Sequence, residues 1–132
     1  MLIDTSGWFC ILDENDSRHG AAVTQYDSAS NKVTHSFVIA ELVALCDKRR
    51  FSRTKTLGFL SELFDDPEVT IIWVDERLSK TAFELLKERL DKTWSLCDAV
   101  SFVIMENMDI NESLTTDHHF EQAQFVQLLE SS

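Results

Sequence analysis

The chain opens with Met1-Leu2-Ile3-Asp4-Thr5-Ser6-Gly7, in which three apolar residues run directly into a carboxylate and two hydroxyls. The apolar triplet predicts a short buried strand over residues 1–4. The polar residues after it predict a turn or the start of a helix. Outward from this stretch the same order recurs, because short apolar segments alternate with longer segments of helical spacing along the chain.

This alternation predicts the fold class. Strands are predicted at residues 1–4, 33–35, 69–74, 112–115 and 125–128. Helices are predicted at residues 16–30, 36–50, 52–64, 75–90 and 95–108, with helical turns at 8–12 and 117–122. The expected N-caps are Asp16 or Ser17, Ser36, Ser52 and Asp75. Strands that alternate with helices predict an α/β fold with a mostly parallel central sheet covered on both faces, in a single domain over residues 1–132.

The composition excludes several classes of protein. One Pro and three Gly in 132 residues, with 44% apolar residues, disfavour both a turn-rich all-β fold and disorder. No apolar run reaches the roughly 18 residues needed to span a membrane, and Asp4 follows the first residues without a basic segment, so no secretory signal is expected. Cys10, Cys46 and Cys97 form neither a disulfide framework nor a zinc spacing. We expect buried thiols and a cytoplasmic protein.

Charge is distributed unevenly. The net charge of −11 argues against non-specific binding of nucleic acid by the whole surface, without excluding a nuclease. Five of the twelve Lys and Arg residues nevertheless lie close together, at Lys48, Arg49, Arg50, Arg53 and Lys55. This basic cluster is either a solvated helix end or a patch that contacts phosphate.

Four acidic residues occupy positions where a charge is costly unless something holds it. Asp4 follows the first predicted strand and Asp117 follows the fourth. Glu41 and Asp98 are single charges within otherwise apolar helical segments. A carboxylate in an apolar setting must be paired, protonated or bound to a cation.

Each acid also has an ordinary structural explanation. Asp4 and Asp117 can each cap the helix that follows, and Asp98 is of a type common at helix starts. Glu41 can pair with an Arg or lie at the edge of the apolar stripe, although its neighbours one turn away predict that it lies on an apolar face. As a set, however, the four fall where the chain approaches the carboxyl ends of parallel strands, which is where such folds bind ligands.

Clustered carboxylates predict a divalent-metal site. Carboxylate oxygens are hard ligands that suit Mg²⁺ or Mn²⁺, and a cation relieves the repulsion between them. Such a site can activate water and stabilise charge on a phosphate. Nearby hydroxyls, Thr115 among them, can orient ligands or water.

Other metal sites and catalytic motifs fit the chain less well. The four histidines, His19, His35, His118 and His119, have no zinc-motif spacing, and the last two are expected to be exposed after a cap, where they can still touch substrate. No serine elbow, phosphate-binding loop or dinucleotide glycine pattern is present. An aspartyl phosphatase would usually carry a second Asp where this chain has Ser6.

The motifs taken together resemble the PIN-domain nucleases, in particular the small VapC-type toxins. The matching segments are Leu2-Ile3-Asp4-Thr5-Ser6, Thr34-His35-Ser36-Phe37-Val38-Ile39-Ala40-Glu41-Leu42, Ser95-Leu96-Cys97-Asp98-Ala99 and Leu114-Thr115-Thr116-Asp117-His118-His119-Phe120. No single motif is diagnostic. The order and spacing of the four acids over essentially the whole chain carry the resemblance.

The resemblance implies a three-layer α/β/α sandwich and a ribonuclease dependent on Mg²⁺ or Mn²⁺. Asp4, Glu41, Asp98 and Asp117 match the family's metal-binding acids, and Thr115 matches a hydroxyl partner. Members of this family cut RNA, commonly as homodimers. VapC-type toxins are neutralised by a cognate antitoxin protein, often one that inserts a basic side chain at the acids.

Two other hypotheses remain open on the sequence alone. The acidic surface can belong to a non-catalytic module that binds a basic protein partner. The same pocket can also serve a metal-dependent phosphatase or a DNA-cutting enzyme.

Overall fold

The computed structural model describes residues 1–131, in which five strands and seven helices alternate. The strands are β1 Leu2–Ile3, β2 Lys32–His35, β3 Val69–Ile72, β4 Glu112–Leu114 and β5 Val126–Gln127. The helices are α1 Thr5–Leu12, α2 His19–Ser28, α3 Ser36–Lys48, α4 Arg53–Phe64, α5 Glu76–Glu88, α6 Leu96–Asn107 and α7 His119–Gln122.

The sheet is parallel throughout, with the strand order β3-β2-β1-β4-β5. Strand β1 lies at its centre, and its two residues are both fully buried. Successive strand residues face opposite sides of a sheet. Accordingly Ile3 belongs to an apolar cluster with Leu42 of α3, whereas Leu2 belongs to a second cluster with Val100 of α6. Helices therefore cover both faces, and the predicted α/β/α sandwich is confirmed.

Several details of the local prediction are also confirmed. Ser52 and Asp75 cap α4 and α5, and their side chains accept hydrogen bonds from the backbone N–H groups of Lys55 (3.2 Å) and Leu78 (2.8 Å). The three cysteines are free and buried. No helix in residues 1–131 combines the length and the hydropathy that crossing a bilayer requires.

The predicted cap at Ser36 is wrong. Strand β2 extends through His35 and α3 begins at the next residue, so the capping position falls on His35. Its Nδ1 accepts a hydrogen bond from the Val38 N–H, while Nε2 lies 2.8 Å from the Ser101 hydroxyl on α6. The Ser36 hydroxyl accepts instead from the Val74 N–H, beyond the end of β3.

Helix α2 starts three residues later than predicted, at His19. The reason is a local ion pair: Asp16 accepts hydrogen bonds from the Arg18 N–H (2.8 Å) and from its guanidinium (3.0 Å). The Asp16 carboxylate, expected to cap the helix, is thus occupied by the side chain and backbone of Arg18. Helix α1 is longer than the predicted turn and begins directly after Asp4.

Gly7 lets α1 approach the neighbouring strand. A Cβ at this position would overlap the carbonyl oxygen of Leu114, the last residue of β4. Because that oxygen belongs to the backbone of a buried strand, it cannot rotate away as a side chain would. The close approach sets where α1 and its preceding residue, Asp4, lie relative to β4.

We expect Gly7→Ala to destabilise the protein by up to about 2 kcal/mol, because overpacking costs about 1–3 kcal/mol and the higher helix propensity of Ala offsets roughly 1 kcal/mol of that cost. Gly58→Ala is the matched control, since Gly58 also lies inside a helix but has no atom within 4 Å of the added Cβ. That variant should be as stable as wild type or up to about 1 kcal/mol more stable. Urea unfolding of the three proteins measures the difference, and equal shifts in both variants would contradict the packing argument.

Candidate functional site

The site begins where two neighbouring strands end. Strands β1 and β4 are paired in parallel, with Ile3 opposite Leu114. Asp4 and Thr115 follow these strand ends directly, and the Asp4 N–H donates to the Leu114 carbonyl (3.2 Å). Parallel pairing therefore brings a residue from the start of the chain next to one from its end, at the carboxyl edge of the sheet.

A chain of hydroxyl groups fixes the orientation of the Asp4 carboxylate. Thr115 Oγ1 donates to Asp4 Oδ2 (2.9 Å) and accepts from the Asp117 N–H (3.0 Å). Ser6 Oγ lies 3.2 Å from Thr115 Oγ1 and accepts from the Thr116 N–H (2.9 Å). Since the one Thr115 proton goes to Asp4, the Ser6 hydroxyl donates to Thr115. Both Ser6 and Thr115 thus serve to hold one carboxylate.

Asp4 does not cap α1 with its side chain, although it occupies the N-cap position. It is 5% exposed, and burial raises its pKa from 3.8 to about 7, with further upward contributions from the negative charges of Asp98 and Glu41. Hydrogen bonds from the Thr5 N–H and the Thr115 hydroxyl act in the opposite direction and are outweighed. The carboxylate is therefore held in place but poorly compensated in charge.

Asp98 lies in the first turn of α6 and forms a capping box with Ser95. Its backbone N–H donates to the Ser95 hydroxyl (3.0 Å), and the Ser95 N–H donates to Asp98 Oδ2 (3.1 Å). Burial is the main reason that the pKa of Asp98 is raised, and the charge of Asp117 adds to it. The expectation that Asp98 helps to start a helix is therefore correct. This role uses one of its two carboxylate oxygens, Oδ2.

His119 joins two of the acids, which the sequence reasoning did not anticipate. Its Nδ1 lies 3.0 Å from Asp98 Oδ2 and 3.4 Å from Asp117 Oδ1. Its backbone N–H donates to Asp117 Oδ1 (2.9 Å). The side chain is 18% exposed, so the expectation of an exposed histidine holds for His118, at 65%, but not for His119. The signal available in the sequence was the helical turn predicted at 117–122, which forms as α7 (His119–Gln122) and carries this histidine.

Glu41 lies on the exposed surface of α3, so the prediction of a buried apolar face is wrong. Of the residues one turn away, Val38 is buried, Phe37 and Leu45 are half-buried and Ala44 is exposed, and Glu41 itself lines a cleft with Asp4. Its charge raises the pKa of Asp4, and it is also among the groups that raise the pKa of the buried Cys97 thiol, for which burial is the main cause. Glu41 is thus near the other acids, but on the open side.

A cleft of about 430 Å³ opens at this edge of the sheet, lined by three of the acids, Asp4, Glu41 and Asp117, together with Thr5 and His118. Thr5 Oγ1 is buried and has no hydrogen-bond partner within residues 1–131. Such an orphaned hydroxyl is costly unless a bound species supplies a partner. Carboxylate and hydroxyl oxygens such as those lining this cleft are the ligands that Mg²⁺ and Mn²⁺ prefer. The residues present therefore fit a hard divalent cation.

Imidazole groups stand beside the carboxylates. Ligand atoms of Asp117, His118 and His119 all lie within 4.8 Å of one another, although three consecutive residues match no zinc-motif spacing. The other two histidines lie elsewhere: His35 is buried against α6, and His19 Nδ1 is 2.8 Å from the Cys10 carbonyl. The described histidines thus form no common cluster.

Comparisons with known proteins agree with this architecture. Two curated relatives, the 23S rRNA-specific endonuclease VapC20 of Mycobacterium tuberculosis strains CDC 1551 / Oshkosh and ATCC 25618 / H37Rv, are each 28% identical over 129 residues, covering 97% of this chain and 97% of theirs. The crystal structure of M. tuberculosis VapC20, a toxin that cleaves the sarcin–ricin loop, superposes with a TM-score of 0.87 at 26% identity and covers 97% and 98% of the two chains.

The family itself follows from the sequence match. The PIN domain model matches residues 1–126, which includes all four acids and the strands that carry two of them. This confirms the resemblance that the four motifs indicated. The chain belongs to the PIN domain family.

Proposed function

We propose that this protein is a metal-dependent endoribonuclease and the toxin of a type II toxin–antitoxin pair. The observation that carries the proposal is the meeting of Asp4, Asp98 and Asp117 at one sheet edge, in a chain that aligns over nearly its whole length with an rRNA endonuclease. Nothing in the relatives favours a non-catalytic binding module, a phosphatase or a DNA-cutting enzyme.

Asp4, Glu41, Asp98 and Asp117 would hold Mg²⁺ or Mn²⁺. When bound, the cation activates a water molecule and stabilises the negative charge that develops on the attacked phosphate. The burial of Asp4 and Asp98 supports this assignment. Their negative charges repel each other, and a bound cation would relieve that repulsion.

The remaining side chains hold these acids in position. Thr115 donates to Oδ2 of Asp4 and is itself held by Ser6, which fixes the orientation of the carboxylate toward the cleft. The Ser95 N–H and His119 Nδ1 both donate to Oδ2 of Asp98, which fixes the orientation of that carboxylate too. Hydrogen bonds of this kind orient a carboxylate and are often nearly as important to a metal site as the ligands.

Ribosomal RNA is the proposed substrate, because the curated relatives are 23S rRNA-specific endonucleases and the structural relative cleaves the sarcin–ricin loop. A cognate antitoxin with a basic segment is the proposed protein partner, since a cleft lined with carboxylates attracts a cationic side chain. We also propose that the protein is a homodimer and acts in the cytoplasm.

The test is cleavage of a 23S rRNA fragment that contains the sarcin–ricin loop, with Mg²⁺, with Mn²⁺ and with a chelator. Primer extension locates the cut. A single metal-dependent cut in or near the loop is expected. Equal cleavage in the presence of chelator would show that the reaction does not depend on metal. Cleavage of DNA or of small phosphoesters, but not of RNA, would show that RNA is not the substrate.

His119→Ala is expected to lower cleavage by about 10–100-fold, the range for losing a residue that orients a metal ligand. The reason is that Asp98 Oδ2 loses one of its two donors. The metal concentration that gives half-maximal activity should rise with it, an effect that mere destabilisation would not produce.

His119→Asn provides the matched comparison, because the Asn amide nitrogen can occupy nearly the position of Nδ1. Partial recovery of activity and of metal dependence is expected. If His119→Ala cleaves as wild type does at every metal concentration, His119 does not position Asp98.

A further inference from the structure

Arg49 lies at the same cleft as the acids. It is the residue directly after α3, and Glu41, Leu45 and Arg49 are spaced four apart, so they stand on successive turns along one side of the helix. All three line the cleft. At a rise of about 1.5 Å per residue, the Arg49 backbone lies roughly 12 Å along α3 from that of Glu41.

The guanidinium of Arg49 is held by an aromatic ring and not by a carboxylate. Its Cζ lies over the ring of Phe9, 4.6 Å from the centroid. Within residues 1–131 it forms no ion pair, whereas Arg53 of the same basic cluster is paired with Asp47 at 2.6 Å. Stacking occupies a face of the planar guanidinium and leaves its N–H edge free for a bidentate acceptor.

Charge at the cleft also favours an anionic ligand at Arg49. Among the described residues that line it, Arg49 is the one Lys or Arg, opposite three carboxylates. The net charge of −11 repels a polyanion from the surface outside the basic cluster of Lys48, Arg49, Arg50, Arg53 and Lys55. An RNA strand that reaches the acids therefore passes the one fixed cation at the cleft.

We propose that Arg49 binds a backbone phosphate of the RNA substrate that flanks the phosphate being cut. Because Arg49 lies two helical turns beyond Glu41 and its guanidinium stacks on Phe9, we assign it to positioning the strand and not to the bond that breaks. This inference rests on the proposed ribonuclease function. It divides the basic cluster into one residue that contacts substrate, Arg49, and others that are solvated or paired.

Binding measurements on a catalytically inactive background test the proposal. The probe is a fluorescent RNA stem-loop with the sarcin–ricin loop sequence, and the parent protein carries Asp98→Asn. Added to it are Arg49→Gln, Arg49→Lys or Lys55→Gln. The last is the matched control, because it removes one charge from the same basic cluster at an exposed position outside the cleft.

Arg49→Gln is expected to weaken binding about tenfold, as for loss of one charge-assisted hydrogen-bonded contact. It should also reduce the slope of log affinity against log salt by about 0.7–0.9, the value for one phosphate. Lys55→Gln should stay within about twofold of the parent, and Arg49→Lys should fall between. In the active enzyme, Arg49→Gln should raise KM far more than it lowers kcat.

Two results would overturn the inference and can be told apart. If Arg49→Gln and Lys55→Gln weaken binding equally, Arg49 acts only through overall charge, and the ribonuclease proposal stands. If the parent binds no RNA and the wild-type protein cuts none, both proposals fail together. Thermal melting checks that the variants are folded, and Arg49→Lys keeps the cation over Phe9 should Arg49→Gln lose stability.

Discussion

The Asp98→Asn protein is expected to cut RNA at least about a thousandfold more slowly than wild type, because losing a proposed metal ligand would forfeit several kcal/mol of charge stabilisation and each 1.4 kcal/mol is tenfold in rate. Asn keeps the shape of the side chain and can accept the hydrogen bond from the Ser95 N–H. The helix start should therefore survive, and the loss should be confined to chemistry. Initial rates on the 23S rRNA fragment, with melting curves of both proteins, measure it.

Asp75→Asn is the control for this substitution. Like Asp98, Asp75 lies at the start of a helix, but its side chain is exposed and caps α5. Because Asn is as good an N-cap as Asp, this variant should retain both stability and activity. Full activity in Asp98→Asn, or an equal loss in Asp75→Asn, would exclude Asp98 as a ligand of the reacting centre.

The second large effect is on stability: Asp4→Asn should lower activity but raise the free energy of unfolding. Without divalent metal, Asp4→Asn is expected to be more stable than wild type at pH 8 and similar to it at pH 4. Burial and the neighbouring carboxylates raise the pKa of Asp4 from 3.8 to about 7 in the folded protein. The folded state therefore holds this proton more tightly than the unfolded state does.

The direction with pH follows from linkage. Because the unfolded chain releases the Asp4 proton first, wild-type stability falls as pH rises from about 4 to about 7 and stays lower above that. From 3.8 to about 7, at about 1.4 kcal/mol per pH unit, the full effect on the free energy of unfolding is on the order of 4 kcal/mol. Asp4→Asn, which cannot ionise, should lack this part of the pH dependence.

Urea unfolding of both proteins at pH 4 and pH 8 gives the free-energy difference. Adding Mg²⁺ or Mn²⁺ at pH 8 should stabilise wild type and narrow the gap, because a ligand that binds only the folded state adds to its stability. The metal should have little effect on Asp4→Asn, whereas Asp75→Asn should follow wild type throughout. A gap that is the same at both pH values would show that Asp4 is not a strained buried carboxylate.

Local signals explain why most of the fold was predictable. The Leu2-Ile3 pair, the β-branched segment at β3 and the caps Ser52 and Asp75 depend on residues within a few positions of each other. The predicted N-caps were wrong where the capping side chain forms a hydrogen bond with another residue instead of with the start of its helix. The hydroxyl of Ser36 went to the Val74 backbone, and the carboxylate of Asp16 went to Arg18.

The amino-acid sequence by itself determined the order of strands and helices, because hydrophobic pattern and capping chemistry are local. It also marked Asp4, Glu41, Asp98 and Asp117 as charges in costly places, and of these Glu41 is exposed in the structure. Only the tertiary structure decided what surrounds them. Parallel pairing of β1 with β4 brought Thr115 onto Asp4 across 111 positions, and packing of α6 brought Asp98 to His119. Such contacts depend on how elements dock, and no local pattern encodes that docking.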